Sequence, residues 1–182
     1  MEIPLNEAVR LIYPRVVVLV TSIDEQGAVN AAPYSWVAPV SFSPPLIYLG
    51  IQKRETQTMK NIRAAGEFVV NVVTEEIAQK AVNCEGKKFE YGKKLQAVGL
   101  QTAESEKVKV PRVKEAQVVL ECRLNEIIEA KDADHWLVIG KIVKAEKLAK
   151  EPKIVMHVEG DEFRGIGKKI KLKRHLSIIK KH

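Results

Sequence analysis

The chain of 182 residues is poor in cysteine, and its two cysteines, Cys84 and Cys122, lie far apart in the sequence. They make no disulfide framework, which favours a reducing compartment. No apolar run approaches the roughly 20 residues that a membrane-spanning helix needs. Residues 1–15 lack the basic segment followed by an apolar segment that marks a secretory signal. We therefore expect a cytoplasmic protein with no membrane partner.

The common signatures of metal, nucleophile and dinucleotide chemistry are also missing. The four histidines show no HxxxH spacing, and neither cysteine has a neighbour that suggests a metal site. No GxSxG motif marks a catalytic serine. The glycines from Gly160 to Gly167 lack the GxGxxG form and the strand-to-helix context of a dinucleotide fold. We predict no metal, no Ser or Cys nucleophile, and no Rossmann or P-loop nucleotide site.

Acidic residues are absent from the C-terminal end, and this accounts for the net charge of +7. Residues 164–182 hold eight Lys or Arg, whereas the other 163 residues hold 22 basic and 23 acidic side chains, a net charge of −1. We predict one domain over residues 1–167 and a basic tail over 168–182. A general nucleic-acid-binding face is not supported. One hypothesis for the function is therefore a nucleic-acid or membrane-surface binder that acts through the tail; two others follow below. Separately, the abundance of Lys, Glu, Val and Ile indicates a thermophile.

The hydrophobic patterns predict a mainly β protein with few helices. Thr56 can cap a helix ending near Ala65, and other helices are expected over 5–12 and 74–83. β-branched or alternating runs predict strands over 16–22, 46–51, 67–73, 118–130 and 136–146. The last two are long enough to require a bend or bulge. Many strands joined by hairpin turns imply a β-barrel with helices on its outside.

The stretch from Asn30 to Gly50 is too apolar to be a solvated loop. It also contains more prolines than an ordinary strand. Its prolines are Pro33, Pro39, Pro44 and Pro45. Each proline lacks a backbone donor, and hydroxyl and aromatic side chains lie between them. Two interpretations remain open on these residues alone. The stretch is either a rigid cradle for a flat, partly polar ligand or an edge strand whose prolines stop further pairing.

Three further places are candidates for ligand contact. At the start of the helix capped by Thr56, free N–H groups beside Lys53, Arg54 and Thr58 can bind a phosphate without a P-loop. The alternative is an ordinary capped helix with solvated cations. The excursion over 84–96 is either a flap over a ligand or a solvated loop. His135, in a predicted turn, is either a ligand contact or a surface residue.

The order and spacing of several motifs resemble the flavin reductase-like family of FMN-binding split barrels. They are VVVLVTSxDxxGxxNAAPYS, SFSPPLIYLGI, TxxNIxxxGEFVVN, Lys88-Phe89, Gly99-Leu100, VxxPRVxEAxxxLEC and DHWLVIGKIV. The resemblance covers about residues 10 to 165. It implies a Greek-key split β-barrel, a homodimer, and one FMN per subunit near the dimer interface.

The resemblance also implies roles for individual residues. Tyr34, Ser35, Trp36 and Val37 would contact the flavin ring. Ser41, Lys53, Arg54 and Thr58 would serve the ribityl chain and the phosphate, and Lys88 and Phe89 would approach from the excursion. His135 matches a position on the nicotinamide side, although Ala133 stands where the family motif has Gly.

The implied function is an FMN-binding oxidoreductase that passes electrons from NAD(P)H to free flavin, ferric complexes or a protein partner. The flavin carries the redox chemistry, so we expect no dedicated catalytic residue. The alternative is an FMN electron carrier without NAD(P)H activity of its own.

Overall fold

Antiparallel strands dominate the structure, a computed structural model that describes residues 2–85, 89–168 and 170. The helices are a 3₁₀ helix over Leu5–Leu11 and three α-helices: α1 (Gln57–Ala65), α2 (Ala78–Asn83) and α3 (Lys94–Ala97). The strands are β1 (Arg15–Val16), β2 (Val18–Ile23), β3 (Val29–Tyr34), β4 (Val37–Phe42), β5 (Pro45–Gln52), β6 (Glu67–Val72), β7 (Thr102–Ala103), β8 (Arg112–Val113), β9 (Val118–Ile128), β10 (His135–Lys147), β11 (Val155–Glu159) and β12 (Glu162–Gly165). The predicted mainly β architecture is confirmed.

The main sheet has seven strands in the order β3-β2-β6-β9-β10-β5-β4. Among the described residues its two edges, β3 and β4, do not pair with each other, so the sheet is not closed by hydrogen bonds. The chain nevertheless passes from one edge to the other within two residues, Ser35 and Trp36. A smaller sheet, β1-β11-β12, is joined to the main sheet near Val17. Val17 N–H donates to the Val155 carbonyl, and Val73 N–H donates to the Val17 carbonyl.

Both faces of the main sheet are buried, each by its own core. On β6, Phe68 and Val70 pack in one cluster and Val69 in the other, since successive side chains of a strand point to opposite faces. Asn71 continues the second face as a buried polar residue. Its Nδ2 donates to the Leu19 carbonyl at 2.9 Å, and its Oδ1 accepts from Val113 N–H at 2.8 Å. These bonds satisfy the amide inside the core.

Helix α1 has the ends that its sequence predicts. The Thr56 hydroxyl accepts from Met59 N–H at 3.2 Å, which caps the first turn. Gly66 ends the helix with φ +67°, a left-handed conformation that glycine adopts without steric cost. Asn61, on the buried face, donates to the Ser22 hydroxyl at 3.1 Å and thereby ties α1 to β2.

The proline-rich stretch over residues 30–50 is mostly paired in strands. Most of it forms β3 and β4, the two edges of the main sheet, with Pro33 opposite Leu19 and Pro39 opposite Ile47. Proline is tolerated there because one side of an edge strand needs no donor. The edge-strand interpretation is therefore correct for β3 and β4.

One other local prediction changes. The second helix begins at Ala78 rather than at residue 74, because Thr74 is held in an isolated bridge with Ile154. The glycine-rich segment after residue 159 forms β12 as well as a turn, in which Gly160 has φ +50°. Of the basic tail, only Lys168 and Ile170 are among the described residues.

The predicted irregularity of the long hairpin is confirmed. β9 and β10 shift register between Ile139 and Gly140 and again between Ile142 and Lys144. No α-helix within 2–85, 89–168 and 170 has the length and apolar character needed to cross a bilayer.

Gly140 lies at the first register shift of the hairpin, and substituting it tests the packing there. A Cβ there would overlap Cζ of the buried Phe68 and lie 3.4 Å from Cys122 Cβ. We expect Gly140→Ala to lower the free energy of unfolding by roughly 1–3 kcal/mol through overpacking. Urea denaturation measures this change. Gly167→Ala is the control, since a Cβ at Gly167 meets nothing within 4 Å. Equal stability of the two variants would contradict this account.

Candidate functional site

One cleft of about 730 Å³ brings together distant parts of the chain. Its walls come from β3 and the crossing to β4, from the end of β5 with the start of α1, and from the excursion before and into α3. His135, the first residue of β10, completes the lining. This volume lies within the range of roughly 300–1,000 Å³ that is usual for small-molecule sites.

The start of α1 gives one end of the cleft a positive character. The first N–H groups of a helix have no partner within it, and here only that of Met59 is taken by the Thr56 cap. Arg54 lines the same end and makes no ion pair within 4 Å among the described residues. Lys60, by contrast, is paired with Glu55 at 2.8 Å. Arg54 is therefore a cation available to an anionic ligand.

Tyr34 lies against this helix start. Burial raises the pKa of the phenol above its ordinary value, while a hydrogen bond with Thr58 and the charge of Arg54 partly oppose the rise. Because the pKa rises from a value already near 10, Tyr34 is a neutral hydroxyl at physiological pH. It can therefore donate or accept a hydrogen bond in the cleft.

A chain of polar side chains crosses the base of the cleft. Buried Asn30 donates through Nδ2 to the Thr58 hydroxyl at 3.0 Å. Lys94 Nζ donates to Asn30 Oδ1 at 3.2 Å and to the Ala31 carbonyl at 3.0 Å. Burial lowers the pKa of Lys94. These bonds connect α3 and β3 with the start of α1.

Trp36 and His135 form a stacked pair at another wall, with ring centroids 4.3 Å apart and planes inclined by 9°. Their approach depends on Gly50, whose N–H donates to the Trp36 carbonyl at 2.7 Å. A Cβ at Gly50 would lie 3.0 Å from Trp36 Cβ. His135 Nδ1 is 2.6 Å from Asp134 Oδ1, and this hydrogen bond holds the pKa of Asp134 below its usual value.

Ser35 lies between Tyr34 and Trp36 and also lines the cleft. Its hydroxyl is 3.2 Å from Nδ1 of His157, a residue of β11 in the small sheet. The other ring nitrogen, Nε2, is 3.0 Å from the Gly160 carbonyl oxygen. The crossing between the sheet edges is thus attached to the neighbouring sheet through a side chain.

The structure brings most of the predicted site residues together. Those in the cleft lining are Tyr34, Ser35, Trp36, Arg54, Thr58, Phe89 and His135. Val37, Ser41 and Lys53 are not in that lining. Val37 packs against a core cluster, Ser41 lies in β4, and Lys53 Nζ contacts the Ala130 carbonyl and Glu129, both at 3.2 Å. Lys88 lies outside the described residues.

Asn30 and Lys94 were not among the predicted site residues. Asn30 belongs to the NAAPYS motif. A polar residue just before an apolar strand segment is the sequence feature that could have marked it as a site residue. Lys94 gives no such signal, since its sequence neighbours resemble a solvated loop. Only the packing of α3 on β3 brings its ammonium group to the cleft.

Two further chemistries find little support in the part of the chain that the structure describes. Cys84 lines the cleft, but burial raises the pKa of its thiol to about 11, so the thiolate that acts as a nucleophile is scarce near neutral pH. No group of three or more His, Cys, Asp or Glu side chains is arranged to hold a metal within residues 2–85, 89–168 and 170.

The family model for a flavin reductase like domain matches residues 9–166. The chain belongs to the flavin reductase-like family. This confirms the resemblance and the split-barrel fold that it implied, and it assigns the protein to a family of flavin-related oxidoreductases.

Known proteins resemble this flavin reductase-like protein over most of its length. The Bacillus subtilis protein YwrF is 33% identical and is matched over 90% of this chain and 89% of its own. The 2-nitrobenzoate 2-nitroreductase NbaA of Pseudomonas fluorescens is 26% identical over 96% of each chain, with a TM-score of 0.83. Flavoredoxin of Desulfovibrio vulgaris, at 22% identity, has the same fold, with a TM-score of 0.80 over 98% of this chain and 99% of that one.

Proposed function

We propose that this protein binds FMN in the cleft and passes electrons from NAD(P)H through it to an acceptor. The observation that carries the proposal is the pairing of a cationic helix start with an aromatic, hydroxyl-lined wall in one cleft of a flavin reductase-like chain. FMN has a matching polarity, because a dianionic phosphate and a flat, partly polar ring lie at its two ends. Free flavin, ferric complexes and a protein partner are the acceptors we consider.

The residues at the start of α1 fit the phosphate. Arg54 would neutralise part of its charge, and the Thr58 hydroxyl and first-turn N–H groups would donate to its oxygens. The Thr58 hydroxyl accepts from Asn30 and hydrogen-bonds Tyr34, so donation to a phosphate requires its proton to turn from Tyr34 to the ligand. Ser41 and Lys53, the other predicted phosphate and ribityl contacts, lie outside the cleft lining of one subunit.

The crossing between β3 and β4 fits the ring. This wall presents a neutral phenol, a hydroxyl and a large aromatic surface, which come from the consecutive residues Tyr34, Ser35 and Trp36. A flavin held there would supply hydride- and electron-transfer chemistry between the nicotinamide and the acceptor. The protein residues bind and orient it, and none is required as an acid or base. His135, at the edge of the cleft, is the proposed contact of NAD(P)H.

We further propose a homodimer, because edge strand β4 is apolar and is not covered by any other described part of the chain. Phe42 is 83% exposed and Val40 53%, and exposed Pro39 and Pro44 lie beside them. An apolar sheet edge of this kind invites association with another chain. A second copy on this edge would also lie close to the cleft wall formed by Trp36.

The first test is an anaerobic titration of the FMN-loaded protein with NADH and with NADPH. We expect one equivalent of at least one nucleotide to bleach the visible absorption band of the flavin. Dithionite serves as the control reductant. Bleaching by dithionite alone would favour the electron carrier without NAD(P)H activity. Failure of the protein to bind FMN at all would refute both functions.

The second test separates the phosphate contact from the ring contacts. Arg54→Ala should weaken FMN binding about 10- to 100-fold, since charge-assisted hydrogen bonds contribute roughly 1.5–3 kcal/mol. Riboflavin, which has the ring but no phosphate, should bind both proteins equally. Arg63→Ala, at the other end of α1, is the matched control. Fluorescence quenching of the flavin gives each dissociation constant. An equal loss of affinity for riboflavin would place Arg54 elsewhere on the ligand.

The third test concerns the dimer. Phe42→Asp should place a carboxylate on the apolar edge and shift the protein from a dimer to a 20.4 kDa monomer in sedimentation experiments. Leu148→Asp changes another exposed apolar residue, 54% exposed, and should leave the dimer intact. A wild-type monomer at all concentrations would refute the proposed dimer.

A further inference from the structure

We propose that His157 is a positioning residue that makes Ser35 a hydrogen-bond acceptor for the ring N–H of the bound flavin. The inference rests on the proposed function, because it assigns one polar contact within the same cleft. It depends on the chain of contacts from the Gly160 carbonyl through the His157 ring to the Ser35 hydroxyl.

The first step is the tautomer of His157. The Gly160 carbonyl oxygen, 3.0 Å from Nε2, can only accept a hydrogen bond. Nε2 must therefore carry a proton. In the neutral imidazole the other nitrogen, Nδ1, is then an acceptor.

The turn between β11 and β12 places this carbonyl. Gly160 adopts φ +50° there, and Glu159 pairs with Glu162 across the turn. The Phe163 ring lies 5.0 Å from the His157 ring and packs against its side. Backbone and packing together hold the imidazole in one orientation.

The second step is the hydroxyl of Ser35. Serine has one O–H donor and two acceptor lone pairs. Because Nδ1 of His157 is an acceptor 3.2 Å away, the Ser35 proton is directed towards it. The lone pairs of the hydroxyl are left for a group in the cleft, which Ser35 lines. His157 thus determines that Ser35 accepts rather than donates.

The third step identifies the matching ligand group. The oxidised flavin ring carries a single N–H, the imide between its two carbonyl groups, and its two carbonyl oxygens and two unsubstituted ring nitrogens are acceptors. A serine restricted to acceptance can bond to that N–H but not to the carbonyls beside it. His157 would therefore select the orientation of the pyrimidine edge without touching the flavin.

The first experiment measures the tautomer in the cofactor-free protein. Histidine ¹⁵N chemical shifts, recorded at a pH high enough to keep the imidazole neutral, distinguish a protonated from an unprotonated ring nitrogen. We expect His157 to carry its proton on Nε2. A proton on Nδ1 would overturn the inference, since Ser35 would then receive a hydrogen bond instead of giving one.

The second experiment is a double-mutant cycle on FMN affinity. Ser35→Ala and His157→Phe should each weaken FMN binding about five- to tenfold, the expected effect of one neutral hydrogen bond. The double variant should be no weaker than either single one, because His157 acts only through Ser35. Additive losses, or an unchanged affinity in His157→Phe, would overturn the inference.

One further variant separates this role from damage to the fold. His157→Asn can place its amide oxygen near the position of Nδ1, so FMN affinity should stay within about twofold of wild type. If it falls as far as in His157→Phe, the acceptor role is wrong. This variant and the tautomer measurement also decide the question if His157→Phe fails to fold.

The third experiment uses FMN methylated at the imide nitrogen as the probe. Wild type should bind it about tenfold more weakly than FMN, whereas Ser35→Ala should show a clearly smaller difference. Equal discrimination by the two proteins would refute the contact with the ring N–H. If wild type binds neither compound, the proposed function itself fails. If it binds FMN and the variants behave like wild type, the Ser35 contact and the role of His157 are refuted, while the proposed function stands.

Discussion

The cleft depends on one close backbone contact, the 2.7 Å hydrogen bond from Gly50 N–H to the Trp36 carbonyl. It joins the crossing between the two sheet edges to β5, and it is possible because Gly50 has no side chain to separate them. Once Trp36 is held there, the pairing of β5 with β10 brings His135 onto its ring. The aromatic wall is therefore a consequence of strand pairing and not of a local motif.

The polar groups of the cleft are organised by the same packing. Asn30, Thr58 and Lys94 come from three elements, and their hydrogen bonds satisfy groups that would be costly to bury alone. This arrangement leaves Arg54 without an ion pair within the described residues, so the local charge is uncompensated before a ligand binds. Hydrogen bonding among the other polar groups thus leaves the Arg54 guanidinium as a cation available to an anionic ligand.

Much of the site could be predicted because its motifs are local. Thr56 and Gly66 identify α1, and Arg54 and Thr58 lie beside its first turn, where helix geometry alone places donors together. Lys53 has the same local character but turns to the Ala130 carbonyl. Adjacent residues in an extended segment point in opposite directions, and the sequence does not show which of them faces the cleft.

By itself, the sequence determined the mainly β class, the capped helix and the flavin reductase-like family, because hydrophobic periodicity, capping and motif spacing are properties of neighbouring residues. Only the tertiary structure decided that the proline-rich stretch supplies both edges of one sheet, that Lys94 reaches Asn30, and that His157 reaches Ser35 across 122 positions of sequence separation. Such contacts depend on strand order and register, which distant segments set together.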